Sequence, residues 1–273
     1  MRKILVIGIG AGNPDHLTLQ AVAAIARADV FFVIDKGAAP ELAELRAELL
    51  RRHATTRPHR VVPITDAERD RDPSDYREAV AHWHRERAER FATAIAEEVA
   101  EDGIGAFLVW GDPSLYDSTV RVLDEVRAAG IADFTCDVIP GISSVGALAA
   151  SHRVPLHGIG EPLLVTTGRR LAADFGPETP NAVVMLDGQL AFRSIDPTGV
   201  EILWAAYLGT SHEIVIRGEL AEVADRIVAE RAAARARHGW IMDTYLLRRH
   251  PADDPSRGTG PGSGLEPETS PPT

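Results

Sequence analysis

Three short segments carry residues suited to chemistry at bare backbone. Gly8-Ile9-Gly10-Ala11-Gly12-Asn13-Pro14, Trp110-Gly111-Asp112-Pro113-Ser114-Leu115-Tyr116 and Pro140-Gly141-Ile142-Ser143-Ser144 each follow an apolar, strand-like run. Glycines let a ligand approach main-chain amides closely. Asp112 and Tyr116 add an acid and a phenol, and Ser143 and Ser144 add two hydroxyls. Each has a plainer reading: a turn carboxylate bonds its own neighbouring amides, and serines cap the next helix.

The first segment invites a dinucleotide reading, with Asp35 at the end of the second apolar run as the ribose acid. That fingerprint needs a helix to open inside the glycines, with a third small residue packing it on the strand. Here Asn13 fills the third-glycine position. Pro14 pushes Asn13 out of the α region, so the helix starts only at Asp15 or later. A nicotinamide-dependent oxidoreductase is therefore the rival reading and not the favoured one.

Parallel strands are needed to bring such loops to one edge. KILVIG (3–8), VFFVI (30–34), RVVPI (60–64), AFLVW (106–110) and FTCDVI (134–139) are the strand candidates. Between them lie helical stripes: Leu19, Val22 and Ile25 after Thr18; Leu42, Leu45 and Leu49 after Pro40; Tyr76, Val80, Trp83, Phe91, Ile95 and Val99; and Val120, Leu123 and Val126 before Gly130. The alternation predicts an α/β fold with a doubly wound parallel five-stranded sheet, its ligands beyond the carboxyl ends of the strands. After Ala150 the linker SHRVPLHGIGEP leads to crowded strand candidates (163–167, 182–186, 201–208, 213–218, 240–247) and one long helix near 219–236. The chain thus reads as an N-terminal α/β domain (1–152), a mixed-sheet α/β domain (161–249) and a disordered tail (250–273), the last from its Pro/Gly/Ser/Glu content.

A net charge of −11 over 273 residues disfavours nucleic acid, whose phosphates need a basic footprint. No apolar run reaches the roughly 20 residues that span a bilayer. The single cysteine, Cys136, lies in a β-type run and reads as a small core residue in a reducing, cytoplasmic setting. His82 and His84, two apart on a helix, point to different faces and make no metal pair.

Taken together, GIGAGNPDHLT, the ADVFFV strand, the GDP turn and PGISS resemble the tetrapyrrole methylase family over residues 1 to about 249. FFVIDKG, FLVWGDPSLYDSTVRVL, IGEPLLVTTGRRL, VVMLDG and RHGWIMDTYLLRR are similar to the cobalamin-pathway branch that couples methylation to loss of an acetyl group. The resemblance implies a two-lobed enzyme using S-adenosylmethionine, a precorrin-type substrate and a homodimer; charge, apolar-run length and histidine spacing give the expectation of no nucleic-acid, membrane or metal partner. Carried over by position, the cofactor contacts fall at Gly10, Ala11, Gly12, Trp110, Gly111, Asp112, Leu115, Ser143, Ser144, Leu186 and Gly209. Asp112 and Tyr116 are the catalytic candidates; Asp187, His157 and Glu161 are further candidates for a base. The macrocycle is a polycarboxylate, so Arg169 and Arg170, with Arg153 and Arg193 behind them, are the candidate substrate cations. A methylase acting at another ring carbon and a non-catalytic tetrapyrrole carrier compete with this reading.

Overall fold

A computed structural model describes residues 1–35, 40–66 and 76–250. The first sheet contains β1 (Arg2–Gly8), β2 (Val30–Asp35), β3 (Arg60–Thr65), β4 (Ile104–Val109) and β5 (Phe134–Ile139). Its order is β3-β2-β4-β1-β5 and every pairing is parallel. Parallel strands need helical crossovers that bury both faces. Helices α1 (Leu19–Arg27) and α2 (Pro40–His53) pack on one face, and α3 (Tyr76–Glu98) and α4 (Thr119–Ala128) cover the other.

The late helix start expected from Pro14 is observed. Asn13 accepts a hydrogen bond from the Asp15 amide, capping a 3-10 turn at Pro14–His16. Helix α1 follows, its Ala21 amide bonded to the Thr18 hydroxyl at 3.0 Å. Its inward face matches the expected stripe at Ile25 but not at Leu19. Ala21, Ala24 and Ile25 are buried, while Leu19 is 89% exposed. Side chains on a helix lean toward its N-terminus, so Leu19, the first helical residue, points past the end of the packed surface. Elsewhere Leu45, Leu49, Phe91, Ile95, Val99, Leu123 and Val126 go inward as expected. Each such side chain contributes about 1.5–3 kcal/mol when fully buried. Cys136 lies against the same core, half-buried.

Helix α5 (Ser144–His152) leads to the second sheet, β6 (Leu164–Thr167), β7 (Asn181–Met185), β8 (Val200–Ala206), β9 (Ile214–Glu219) and β10 (Asp243–Arg249). Its order is β6-β7-β10-β8-β9, with only β6 and β7 parallel. The expected mixed sheet is therefore present. Helix α7 (Leu220–His238) corresponds to the one long helix expected; α6 (Gly168–Asp174) was not expected, because seven residues are too few to show a stripe. Val145, Ala147 and Leu148 of α5 pack with Val183, Leu203, Ala205 and Leu246, joining the two sheets through apolar contact. No helix among the described residues is long and apolar enough to cross a membrane. The expected tail, from Pro251 on, lies outside the described residues, as do the Leu42, Tyr76 and Val80 side chains.

Candidate active site

The carboxyl ends of β1, β4 and β5 converge so closely that only glycine fits. A Cβ on Gly8 would lie 2.6 Å from the Gly141 nitrogen and 2.9 Å from the Gly111 carbonyl, and one on Gly141 would fall directly on that carbonyl. Gly10 and Gly111 are zipped by two main-chain hydrogen bonds of 3.2 and 2.8 Å. The three segments singled out in the sequence are thus one piece of backbone.

Asp112 fastens it. One carboxylate oxygen accepts the Ser114 amide at 2.8 Å and the Ser114 hydroxyl, and the other accepts the Gly141 amide at 2.8 Å. Burial alone pushes this carboxyl up, but the Ser114 hydroxyl and the Gly141 and Ser114 amides outweigh it, leaving its pKa below the ordinary value. An ionised carboxylate already holding three donors is a clamp, and a weak base.

Above this edge lies a cavity of about 820 Å³. Ala11, Trp110, Gly111, Asp112, Leu115, Tyr116, Ser143 and Ser144 line it from the first sheet, and Met185, Leu186, Asp187, Tyr207, Leu208, Arg231, Asp243 and Thr244 from the second. Ser143 also caps α5, its hydroxyl accepting the Gly146 amide at 3.3 Å. Tyr116, Leu186 and Tyr207, all non-glycine, adopt positive φ angles of 53°, 54° and 52° at the cavity wall. Such backbone costs of order 1 kcal/mol or more each and concentrates at ligand sites. Leu186 is 67% exposed although it directly follows a buried strand, so it is not core filler.

The second-sheet wall rests on buried polar side chains. Asp187 accepts the Tyr245 hydroxyl and the Ala191 amide, both at 2.7 Å, and the Gln189 amide at 3.0 Å. Burial, and then Asp187, push the Tyr245 phenol far up, so it stays a donor. Asp243 accepts Arg231 Nε at 2.9 Å and the Trp204 indole at 3.0 Å, and an Arg231 Nη donates to the Asp187 carbonyl at 3.0 Å.

Several of the expected site residues do not line the cavity. Gly10, Gly12 and Gly209 are not among the lining residues. A Cβ on Gly12 would strike the Leu208 carbonyl and one on Gly209 would sit 2.8 Å from the Asn13 nitrogen, so these two glycines lock the first loop onto the second lobe. Gly10 packs on His16. Arg169 and Arg170 also lie off the lining. Arg169 is exposed, and Arg170 is held bidentately by Asp174 one helical turn away, at 2.6 and 3.0 Å. Arg153 is the left-handed C-cap of α5, and Arg193 reaches Asp225. His157 and Glu161 are exposed and off the lining; Glu161 binds the Asn181 side chain and the Gly158 amide.

Sequence reasoning missed Arg46, Arg231 and Asp243, all of which line the cavity. Arg231 shares a helical stripe with Ile227 and Ala234, and Arg46 lies three and four residues before the buried Leu49 and Leu50. An arginine on an inward stripe was the available signal.

The model of the tetrapyrrole (corrin/porphyrin) methylases matches residues 3–224, and the chain belongs to that family. Over 250 residues it is 51% identical to a precorrin-6A synthase (deacetylating) of a Sinorhizobium species, covering 91% of this chain and 96% of the relative. A crystal structure of a cobalamin-synthesis-related protein, CobF, from Corynebacterium diphtheriae superposes with a TM-score of 0.79 at 39% identity, over 91% of this chain and 99% of that one. A uroporphyrin-III C-methyltransferase from Thermus thermophilus, solved with S-adenosylhomocysteine, shares the fold at a TM-score of 0.53 and 19% identity, over 90% and 97% of the two chains.

Proposed function

We propose that this chain is an S-adenosylmethionine-dependent C-methyltransferase of cobalamin biosynthesis. It methylates precorrin-5 at ring carbon 1, with loss of the acetyl group as acetate, to give precorrin-6A. The observation that carries this reading is the cavity between the two sheets, within a chain 51% identical to a deacetylating precorrin-6A synthase.

The residues fit the cofactor. Ala11, Gly111, Ser143 and Ser144 offer main chain and hydroxyls to a folded nucleoside and amino acid, and Leu186 offers an apolar surface for a purine. When bound, S-adenosylmethionine supplies an already activated methyl group. The protein's task is then alignment, which the glycine junction and the Asp112 clamp make rigid. Deacetylation requires water to add to the acetyl carbonyl. The bond from that carbon to carbon 1 breaks, acetate departs, and the electron pair left on carbon 1 takes the methyl. Tyr116 lines the cavity, and burial followed by the nearby Asp174 pushes its phenol up. It acts as a neutral donor to the acetyl carbonyl oxygen, while Asp112 holds the loop in place. A cytoplasmic homodimer accords with this reading.

Incubation with precorrin-5 and methyl-labelled S-adenosylmethionine, followed by mass analysis, tests it. One labelled methyl and one acetate per turnover are expected. Methylation without acetate would make the chain a methylase of another ring carbon, and thermal protection by NADH instead of S-adenosylhomocysteine would make it an oxidoreductase.

A further inference from the structure

The cavity contains four carboxylates and two guanidinium groups among its described lining residues: Asp112, Asp117, Asp187 and Asp243, with Arg46 and Arg231. All but one have a settled protein partner. Asp112 and Asp187 are saturated by the donors described above, and Asp117 accepts the Thr119 amide at 2.7 Å. Asp243 and Arg231 hold each other. Arg46 is the exception. It donates from Nε to the Leu108 carbonyl, at a long 3.3 Å, and has no carboxylate within ion-pair distance among the described residues.

Its surroundings make this arrangement expensive. Apolar Phe32, Ile34, Pro63, Phe107 and Leu108 line the same cavity, and the guanidinium bonds the main chain of Leu108. Burial lowers its pKa, and the attraction of Asp117, beyond contact, opposes this only in part. Arginine does not escape by deprotonating, so a cation withdrawn from water without a partner costs free energy until an anion meets it. Nothing in the fold needs the charge, since a weak bond to one carbonyl is within reach of a neutral donor.

We infer that Arg46 is the cavity's receptor for a carboxylate, and that the carboxylate is a peripheral acid arm of the macrocycle. The inference rests on the macrocyclic substrate proposed above. A cofactor amino-acid carboxylate is the other source of the same chemistry. Arg46 lines the cavity from α2 and bonds the Leu108 carbonyl of β4, whereas Ser143 and Ser144 follow β5, with β1 between the two strands. That placement favours the macrocycle. The two Nη groups offer the paired donors that a carboxylate matches. Arg169 and Arg170, the cations the sequence suggested, stand outside the lining.

The experiment compares wild type, Arg46→Gln and Arg46→Lys for equilibrium binding of uroporphyrin III, a stable polycarboxylate macrocycle, and of S-adenosylhomocysteine. Arg46→Gln should weaken uroporphyrin binding at least about tenfold and leave S-adenosylhomocysteine within twofold, with Arg46→Lys intermediate. Its melting temperature should hold or rise, since a half-buried charge with no carboxylate partner among the described residues has gone. Unchanged uroporphyrin binding in Arg46→Gln would overturn the inference. So would a matching loss of S-adenosylhomocysteine, a lowered melting temperature restored by Lys, or no uroporphyrin binding by wild type. Acetate release by wild type is scored separately. Its absence beside an Arg46-dependent uroporphyrin site would remove the proposed reaction and leave the receptor standing.

Discussion

The two walls of the cavity are built from different materials. The first-sheet wall is main chain, with Gly8, Gly111 and Gly141 meeting backbone to backbone and one carboxylate bonded across the junction. The second-sheet wall is side chain: Asp187, Tyr245, Arg231, Asp243 and Trp204 form a buried polar floor under Leu186. Main chain tolerates no added atom but is insensitive to charge. A buried ionic floor tolerates small changes of shape but not the loss of one partner. Single substitutions on either side should therefore fail in different ways.

The largest effect is expected on the side-chain wall. Arg231→Met strands Asp243, which is 6% exposed at its side chain, with only an indole donor. Breaking one partner of a buried pair costs about 3–5 kcal/mol. Urea denaturation should show that loss, and Arg231→Lys, which keeps a charge but not the fork, should recover part of it. A loss below about 1 kcal/mol would mean that the floor is not held by this pair.

Next comes the backbone wall. In Gly141→Ala the new methyl meets the Gly111 carbonyl, and neither strand end can retreat without breaking the Asp112 clamp. Overpacking of this kind costs about 1–3 kcal/mol. The cofactor loops must shift as well, so the S-adenosylhomocysteine Kd should rise more steeply than stability falls. Isothermal titration beside thermal melts separates the two, and unaltered affinity in a folded variant would deny that this junction shapes the cofactor site.

The same contrast explains what the sequence disclosed. The backbone wall was legible because its signals are local: Pro14 forbids an early helix, and Gly8, Gly111 and Gly141 each end an apolar run. The lining positions Ala11, Trp110, Gly111, Asp112, Leu115, Tyr116, Ser143, Ser144 and Leu186 followed from the family motifs. The side-chain wall was legible only at Leu186 and Asp187. Arg231 and Asp243 meet only because β10 returns antiparallel beside β8, and no local pattern encodes that pairing. Arg170, a candidate substrate cation, pairs with Asp174 at the i+4 position, a spacing visible in the sequence itself.

A smaller effect is expected at Asp112, where a side chain secures the backbone wall. Asp112→Asn places an NH₂ group against the donors of Ser114 or Gly141, a loss of about 1–2 kcal/mol. The sign of its pH dependence follows from the lowered carboxyl pKa. A depressed pKa gives stability that is present above the unfolded value, near pH 4, and lost as pH falls through the folded value. The gap between wild type and variant should therefore be full at neutral pH and close in acid. Melting temperatures from pH 7 down to 3 measure it, and a gap independent of pH would show that the carboxylate charge is not what fastens the loop.

The smallest stability change, and the most informative, is expected at Leu186. Its side chain is 67% exposed and its φ is +54°, so the fold gains little from the side chain and bears the strain of holding it. Leu186→Gly relieves the left-handed backbone, worth about 1–2 kcal/mol. It also makes the unfolded chain freer, an opposing cost of about 0.5–1 kcal/mol. The terms nearly cancel, and the melting temperature of the ligand-free protein should move by no more than a few degrees. Cofactor binding has no such compensation, because the apolar surface offered to the purine is gone. S-adenosylhomocysteine affinity should fall about 4- to 15-fold, the effect of one or two methylene-sized groups losing contact at roughly 0.8 kcal/mol each. Leu186→Ala separates strain from contact: it keeps the positive φ and loses most of the surface. If Ala and Gly bind the ligand equally weakly while Gly alone is the more stable, the strain at this position serves only to present the side chain. If Leu186→Gly binds as tightly as wild type, Leu186 presents nothing to the cofactor and the second-sheet wall contributes its polar floor alone.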